Sequence, residues 1–116
     1  MGNALRDEIN RLHAQVCSGL ADTNRILILY SLANHPYNVT ELAEKLQLAQ
    51  PSVSRHLKIL RERNMVVSNR KGQSVFYSLA DQRIIEALDI LRTFLADQLE
   101  SQIALAKSAS ELISQA

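Results

Sequence analysis

Between Asn38 and Tyr77 two short amphipathic helices and a hairpin follow one another with almost no connecting chain, an order few folds accept. Asn38-Val-Thr-Glu-Leu-Ala-Glu-Lys-Leu46 has helical spacing, and Val39, Leu42, Ala43 and Leu46 should face inward. Asn38 and Glu41 have the spacing of a capping box, with Asn in the usual Ser/Thr role. Gln47–Gln50 leaves room only for a tight connection. Pro51–Arg63 reads as a second helix, with Pro51 in the first turn, where its missing N–H costs little. Val53, Leu57 and Leu60 form its inner face, leaving a polar, basic outer face. Met65–Asn69 then leads through Arg70-Lys-Gly-Gln73, with Gly72 in the turn, into Ser74–Leu79. There Val75, Tyr77 and Leu79 alternate with Ser74, Phe76 and Ser78, as in a strand with one buried face.

The flanks are helical. Leu5, Ile9, Leu12, Val16 and Leu20 line one face of a first helix that should end near Gly19. Asp22 can cap a second, carrying Ile26, Leu27, Leu29, Tyr30 and Leu32 and stopping at Asn34-His35-Pro36. After Asp81, a plausible cap, Ile84, Leu88, Leu91, Leu95, Leu99 and Ile103 recur at spacings of four and three. This last helix could run past Gln98, with Ser101 as a candidate break. The expected fold is mainly α with a β-hairpin wing, a winged helix-turn-helix. Residues 1–116 form one domain: helix-turn-helix at 38–63, wing at 65–79, terminal helices at 1–20 and 81–116. The apolar stripes of the terminal helices need a partner. A two-fold dimer covers them most economically, through Leu5, Ile9, Leu12, Leu88, Leu91 and Leu95.

Charge distribution says more than net charge, which is only +1. From Gln50 to Lys71 there are six basic residues and one acidic residue, Glu62; from Gly72 onward there are three basic and six acidic. Positive charge is thus concentrated on the helix-turn-helix and hairpin, which suits double-stranded DNA. The candidate contacts are Thr40, Gln50, Ser52, Ser54, Arg55, His56, Lys58, Arg70, Lys71 and Gln73. Arg and Gln suit guanine and adenine edges, while Arg70 and Lys71 at a hairpin tip suit phosphates. His56 has two readings, a DNA contact or a polar residue packed at the helix edge. Arg61 and Arg63 fit a solvated helix end at least as well as a DNA contact.

Other classes find little support. Ser52 and His56 are four apart, like a nucleophile and its base, but no acid stands at a matching position and no glycine-rich turn offers an oxyanion hole. No enzyme is expected, and no cofactor. The N-terminus, with Arg6, Asp7, Glu8 and Arg11 among spaced apolar residues, does not read as a signal peptide, and no apolar run spans a membrane. A single cysteine, Cys17, excludes an intramolecular disulfide and fits a cytoplasmic protein.

Four segments resemble the ArsR/SmtB family of bacterial winged-helix repressors: Leu20-Ala-Asp-Thr-Asn-Arg-Ile-Leu-Ile-Leu29, Val39–Leu46, Gln50-Pro-Ser-Val-Ser-Arg-His-Leu-Lys-Ile-Leu60 and Gly72-Gln-Ser-Val-Phe-Tyr77. The resemblance covers roughly Val16 to Leu95. Two segments depart from the family pattern. Ala-Asp-Pro-Thr-Arg becomes Ala21-Asp22-Thr23-Asn24-Arg25, and the recognition helix opens Ala49-Gln50-Pro51 in place of Ser-Gln-Ser. The resemblance implies a homodimer that binds a palindromic operator and is released by a small effector.

The family's metal sites lack their ligands here. Tyr37–Thr40 offers no thiol where the Cys-x-Cys site would lie, and the last-helix site becomes Asp81, Arg83, Phe94 and Asp97, without imidazoles. No metal is therefore expected. His13 and Cys17, four apart on the first helix, are the fallback for a soft metal or an oxidant. Otherwise Cys17 packs as a small apolar residue and His13 lies on the surface. His35, beside Pro36, reads as a turn residue. The remaining alternatives are a metal- or redox-responsive repressor and a winged-helix protein-interaction module.

Overall fold

The computed structural model describes residues 2–115, which divide into two compact units, 2–82 and 83–115. In the first unit α1 (Gly2–Leu12) runs into a π-helical segment, His13–Cys17. Then come α2 (Thr23–Leu32), α3 (Val39–Leu46), α4 (Gln50–Glu62), β1 (Val66–Lys71) and β2 (Ser74–Leu79). The second unit is α5 (Arg83–Gln115). A mainly helical chain with one antiparallel hairpin is the winged helix-turn-helix expected from the sequence.

The caps form largely as the residues dictate. Asp22 accepts the amides of Asn24 and Arg25 at 2.8 and 3.2 Å to start α2. Asn38 and Glu41 close a reciprocal capping box on α3, at 2.8 and 3.0 Å. Ala49 begins α4 without a side-chain cap. Both α3 and α4 end in the same way. Gln47 (φ 54°) and Asn64 (φ 59°) turn left-handed, and the next amides reach back to Ala43 and Leu60, each at 2.9 Å. The turn of the helix-turn-helix is therefore a left-handed residue that is not glycine, which the sequence alone did not reveal.

The core joins α2, α3, α4 and the start of β1. Ile28, Leu29, Leu42, Val53, Leu57 and Leu60 are fully buried, with Met65 and Val66 beside them. Each such side chain contributes roughly 1.5–3 kcal/mol of transfer free energy. Three expectations are corrected. Ile28 is a core residue that the face assignment missed, whereas Leu27 is 45% exposed. Arg25 is followed by five apolar residues in a row, so periodicity could not choose between them. In β2 no clean alternation appears: Val75 through Leu79 are all half-buried. The first helix changes register at His13, where the Ser18 amide bonds to the His13 carbonyl, five residues back, at 3.0 Å.

The second unit is a single helix of 33 residues without the break considered at Ser101. Leu91, Leu95, Leu99 and Ile103 are exposed on it, and Leu88 is buried. Leu88 therefore does not belong to the exposed stripe. In the first unit Leu5, Ile9 and Leu12 are exposed. Among the described residues no helix is long and apolar enough to cross a membrane.

Candidate nucleic-acid interface

The face of α4 opposite the core carries Gln50, Ser54, Arg55 and Lys58, all exposed, with Ser52 half-buried. These positions are left over once Val53, Leu57 and Leu60 have turned inward at helical spacing. Thr40, in the first turn of α3, is exposed as well. The wing ends in Arg70, Lys71, Gly72 and Gln73, all exposed, with Gly72 at φ 64° reversing the chain. Arg70 lies opposite Val75, and Lys71 opposite Ser74, so neither tip cation faces a carboxylate across the ladder. The wing is tied back to the helices by a β-bridge between Tyr37 and Tyr77. Lys45 Nζ donates to the Tyr37 hydroxyl at 3.0 Å, which packs α3 against the same tyrosine.

His56 does not join this face. It is buried, 7% exposed, and turns toward the start of α2. Arg25 Nη1 lies 3.5 Å from its Nδ1, and Asp22 Oδ1 lies 3.9 Å from its Nε2. The imidazole thus sits between the Arg25 guanidinium and the Asp22 carboxylate. The expected DNA contact at His56 is thus corrected to an internal polar link. The reason is positional: residue 56 lies between Val53 and Leu57, on the flank of the buried stripe.

Arg25 completes that link. Its Nε donates to the Gly19 carbonyl at 2.8 Å and its Nη2 to the Ser18 carbonyl at 3.2 Å. For Asp22, partial burial pushes the carboxyl up. The amides of Arg25 and Asn24, with His56 and the Arg25 charge, outweigh it and hold the group below its ordinary value.

Arg63 departs from the solvated helix end expected of it. It is half-buried at the end of α4, and its guanidinium donates to the carbonyl of Ala14. Cys17 is exposed, not packed as a small apolar residue, and His13 is exposed too. Both lie on the π-helical segment, whose outward surface leaves them uncovered. Among the described residues no three His, Cys, Asp or Glu side chains gather as a metal site would require. His35 is a turn residue, with Nδ1 placed 2.8 Å from the Pro36 carbonyl and its ring centroid 4.1 Å from that of Tyr37, the two planes tilted by 31°.

Comparison with known proteins places the chain in a family. Residues 22–68 match the model of the bacterial regulatory protein, arsR family. The chain is 43% identical over 79 residues to the HTH-type transcriptional regulator NmtR of Mycobacterium tuberculosis, a match spanning 66% of each chain, just under two thirds of that relative. It is 31% identical over 96 residues to the nodulation protein NolR of Rhizobium meliloti, covering 83% of this chain and 79% of NolR. The crystal structure of NolR from Sinorhizobium fredii superposes with a TM-score of 0.69 at 32% identity, over 77% of this chain and 89% of that one. The matched span holds the Asp22 cap, the helix-turn-helix and the first residues of the wing, and on these grounds the chain belongs to the ArsR family of winged-helix bacterial transcriptional regulators.

Proposed function

We propose that the protein is a homodimeric transcriptional repressor that binds a palindromic operator in double-stranded DNA and is released by a small effector. The observation that carries this reading is the outer face of α4. Gln50, Ser54, Arg55 and Lys58 are exposed and without structural duty beside a wing tip bearing Arg70, Lys71 and Gln73. The helix enters the major groove, where Arg55 and Gln50 read base edges and Ser52 and Ser54 add shorter contacts. Thr40, Lys58, Arg70, Lys71 and Gln73 fix the register on phosphates. Dimerisation covers Leu5, Ile9 and Leu12 of α1 and Leu91 and Leu95 of α5, all about half exposed or more in the single chain. The two-fold axis then sets the spacing of the operator half-sites. Such a protein works in the cytoplasm, where the chromosome lies.

The effector is not a zinc-type metal bound by the last helix, because Arg83 and Phe94 stand where imidazoles would be needed. A second reading, redox or soft-metal control, draws on the exposure of Cys17 and His13. The test is a mobility shift against the DNA upstream of the chain's own coding sequence, repeated with metals, chelator, oxidant and reductant. Specific, salt-sensitive binding without added metal is expected. Failure to prefer that DNA over random duplex would overturn the repressor reading, and release by oxidant or cadmium would favour the second.

A further inference from the structure

The end of the DNA-facing helix is held by the segment that links α1 to α2. The π-helical turn diverts the Ser18 amide to His13, and the Ala14 carbonyl instead accepts the Ser18 hydroxyl and the Arg63 guanidinium. Arg63 is the residue that closes α4. Its stem runs hard against Gly19: a methyl group there would lie 3.0 Å from Arg63 Cδ and 3.0 Å from Met65 Sδ. The same short segment is gripped a second time. Arg25 bonds the carbonyls of Ser18 and Gly19 and touches His56, in the middle of α4. Two arginines therefore connect residues 14–19 to α4 at two points, its middle and its end.

We propose that Arg63 is a positioning residue for DNA binding, locking the end of α4 to the Ala14 carbonyl so that the angle of the DNA-facing helix depends on the π-helical segment. The inference rests on the DNA-binding reading above. Arg63 belongs to the basic cluster by sequence, and a cationic side chain beside a DNA-facing helix would ordinarily be counted as a phosphate contact. Its geometry says otherwise. The side chain is half-buried, its stem is confined by Gly19, and its guanidinium is engaged by a backbone carbonyl 49 residues away in sequence. A π-helical turn is a place where a small register change can move a helix end. Here it supplies the carbonyl that Arg63 holds.

The two roles separate by salt. A phosphate contact releases counterions, so losing one lowers the log–log salt slope by about 0.9. A positioning residue changes affinity without changing that slope. The experiment measures operator binding by fluorescence anisotropy from low to high salt for wild type, Arg63→Lys, Arg63→Gln, Gly19→Ala and, as the phosphate comparator, Lys71→Ala. Arg63→Gln and Gly19→Ala should each weaken binding about tenfold with the wild-type slope. Arg63→Lys, which keeps a donor, should recover part of the loss, and Lys71→Ala should lower the slope. Amide exchange across residues 13–19 should slow when operator is added to wild type, and not in Arg63→Gln. A reduced slope in Arg63→Gln overturns the proposal, as does unchanged affinity in both Arg63→Gln and Gly19→Ala. If Arg63→Gln does not fold, Arg63→Lys and the exchange of wild type decide: no slowing at residues 13–19 on DNA binding sinks the idea. Wild type that binds no DNA defeats the repressor reading itself, a result distinct from all of these.

Discussion

Tyr37 and Tyr77 exchange both of their backbone hydrogen bonds, at 3.2 and 2.8 Å, so a residue two before α3 adds a one-residue third strand to the wing. A two-stranded hairpin alone is marginal in water. The bridge fixes the wing to the helix-turn-helix, and with it the direction in which Arg70 and Lys71 project.

The proposed interface divides into two kinds of DNA contact. Replacing Lys71 with Ala should weaken binding to all duplexes about equally and lower the salt slope by roughly 0.9. Replacing Arg55 or Gln50 with Ala should instead alter sequence preference, at roughly 1–3 kcal/mol for a good base contact. Competition assays with single-base operator variants check this. Identical behaviour of the wing and helix variants would contradict the division of labour.

The exposed stripe of α5 gives a second expectation. Leu91 and Leu95 are 58% and 54% exposed, and a dimer would bury them. Sedimentation at micromolar concentration should give twice the chain mass of 13.0 kDa. Leu95→Asp should shift the protein to monomer, since burying an unpaired carboxylate costs several kcal/mol. A wild-type monomer would refute the dimer.

Asp22 makes stability depend on acid. Its folded-state pKa is depressed below the ordinary 3.8, so the carboxylate contributes stability in full above that value. The contribution is lost as the pH falls through the lower folded-state value. Asn at this position still caps α2 but cannot titrate. Urea denaturation across the acid range should therefore show wild type more stable than Asp22→Asn near neutrality, with the gap closing on acidification. A gap independent of pH would mean that the charge does not matter.

The order of elements, the wing and both side-chain caps were legible because each is written in local chemistry: a capping box, a first-turn proline, a turn glycine. The outer face of α4 was legible by subtraction, since its apolar residues recur at helical spacing. What escaped needed three dimensions. His56 carries a polar side chain that suits DNA, and only its neighbours across the fold, Asp22 and Arg25, show that it points inward. Arg63 looked like a solvated helix end until Ala14 came within reach. The π-helical turn has no sequence signature, because His13–Cys17 continues the apolar spacing of an α-helix.

The missing cap on α4 yields the last prediction. Ala49 sits at the N-cap with φ −67° and ψ 140°, the extended geometry from which a serine side chain can reach back to the first turn. The amides of Ser52 and Val53 are both placed on the Ala49 carbonyl, at 3.0 and 3.2 Å, and no side chain assists them. Ala49 is exposed, so a hydroxyl there displaces nothing from the core. Ala49→Ser should therefore stabilise the protein by about 0.5–2 kcal/mol. Unlike Asp, serine adds no charge to repel a phosphate, so operator affinity should be kept. Thermal denaturation should show a higher midpoint with unchanged anisotropy titrations. Unchanged stability would mean that the Ala49 carbonyl and water already satisfy the first turn. A loss of binding would mean that this end of the helix lies closer to the DNA than a serine allows.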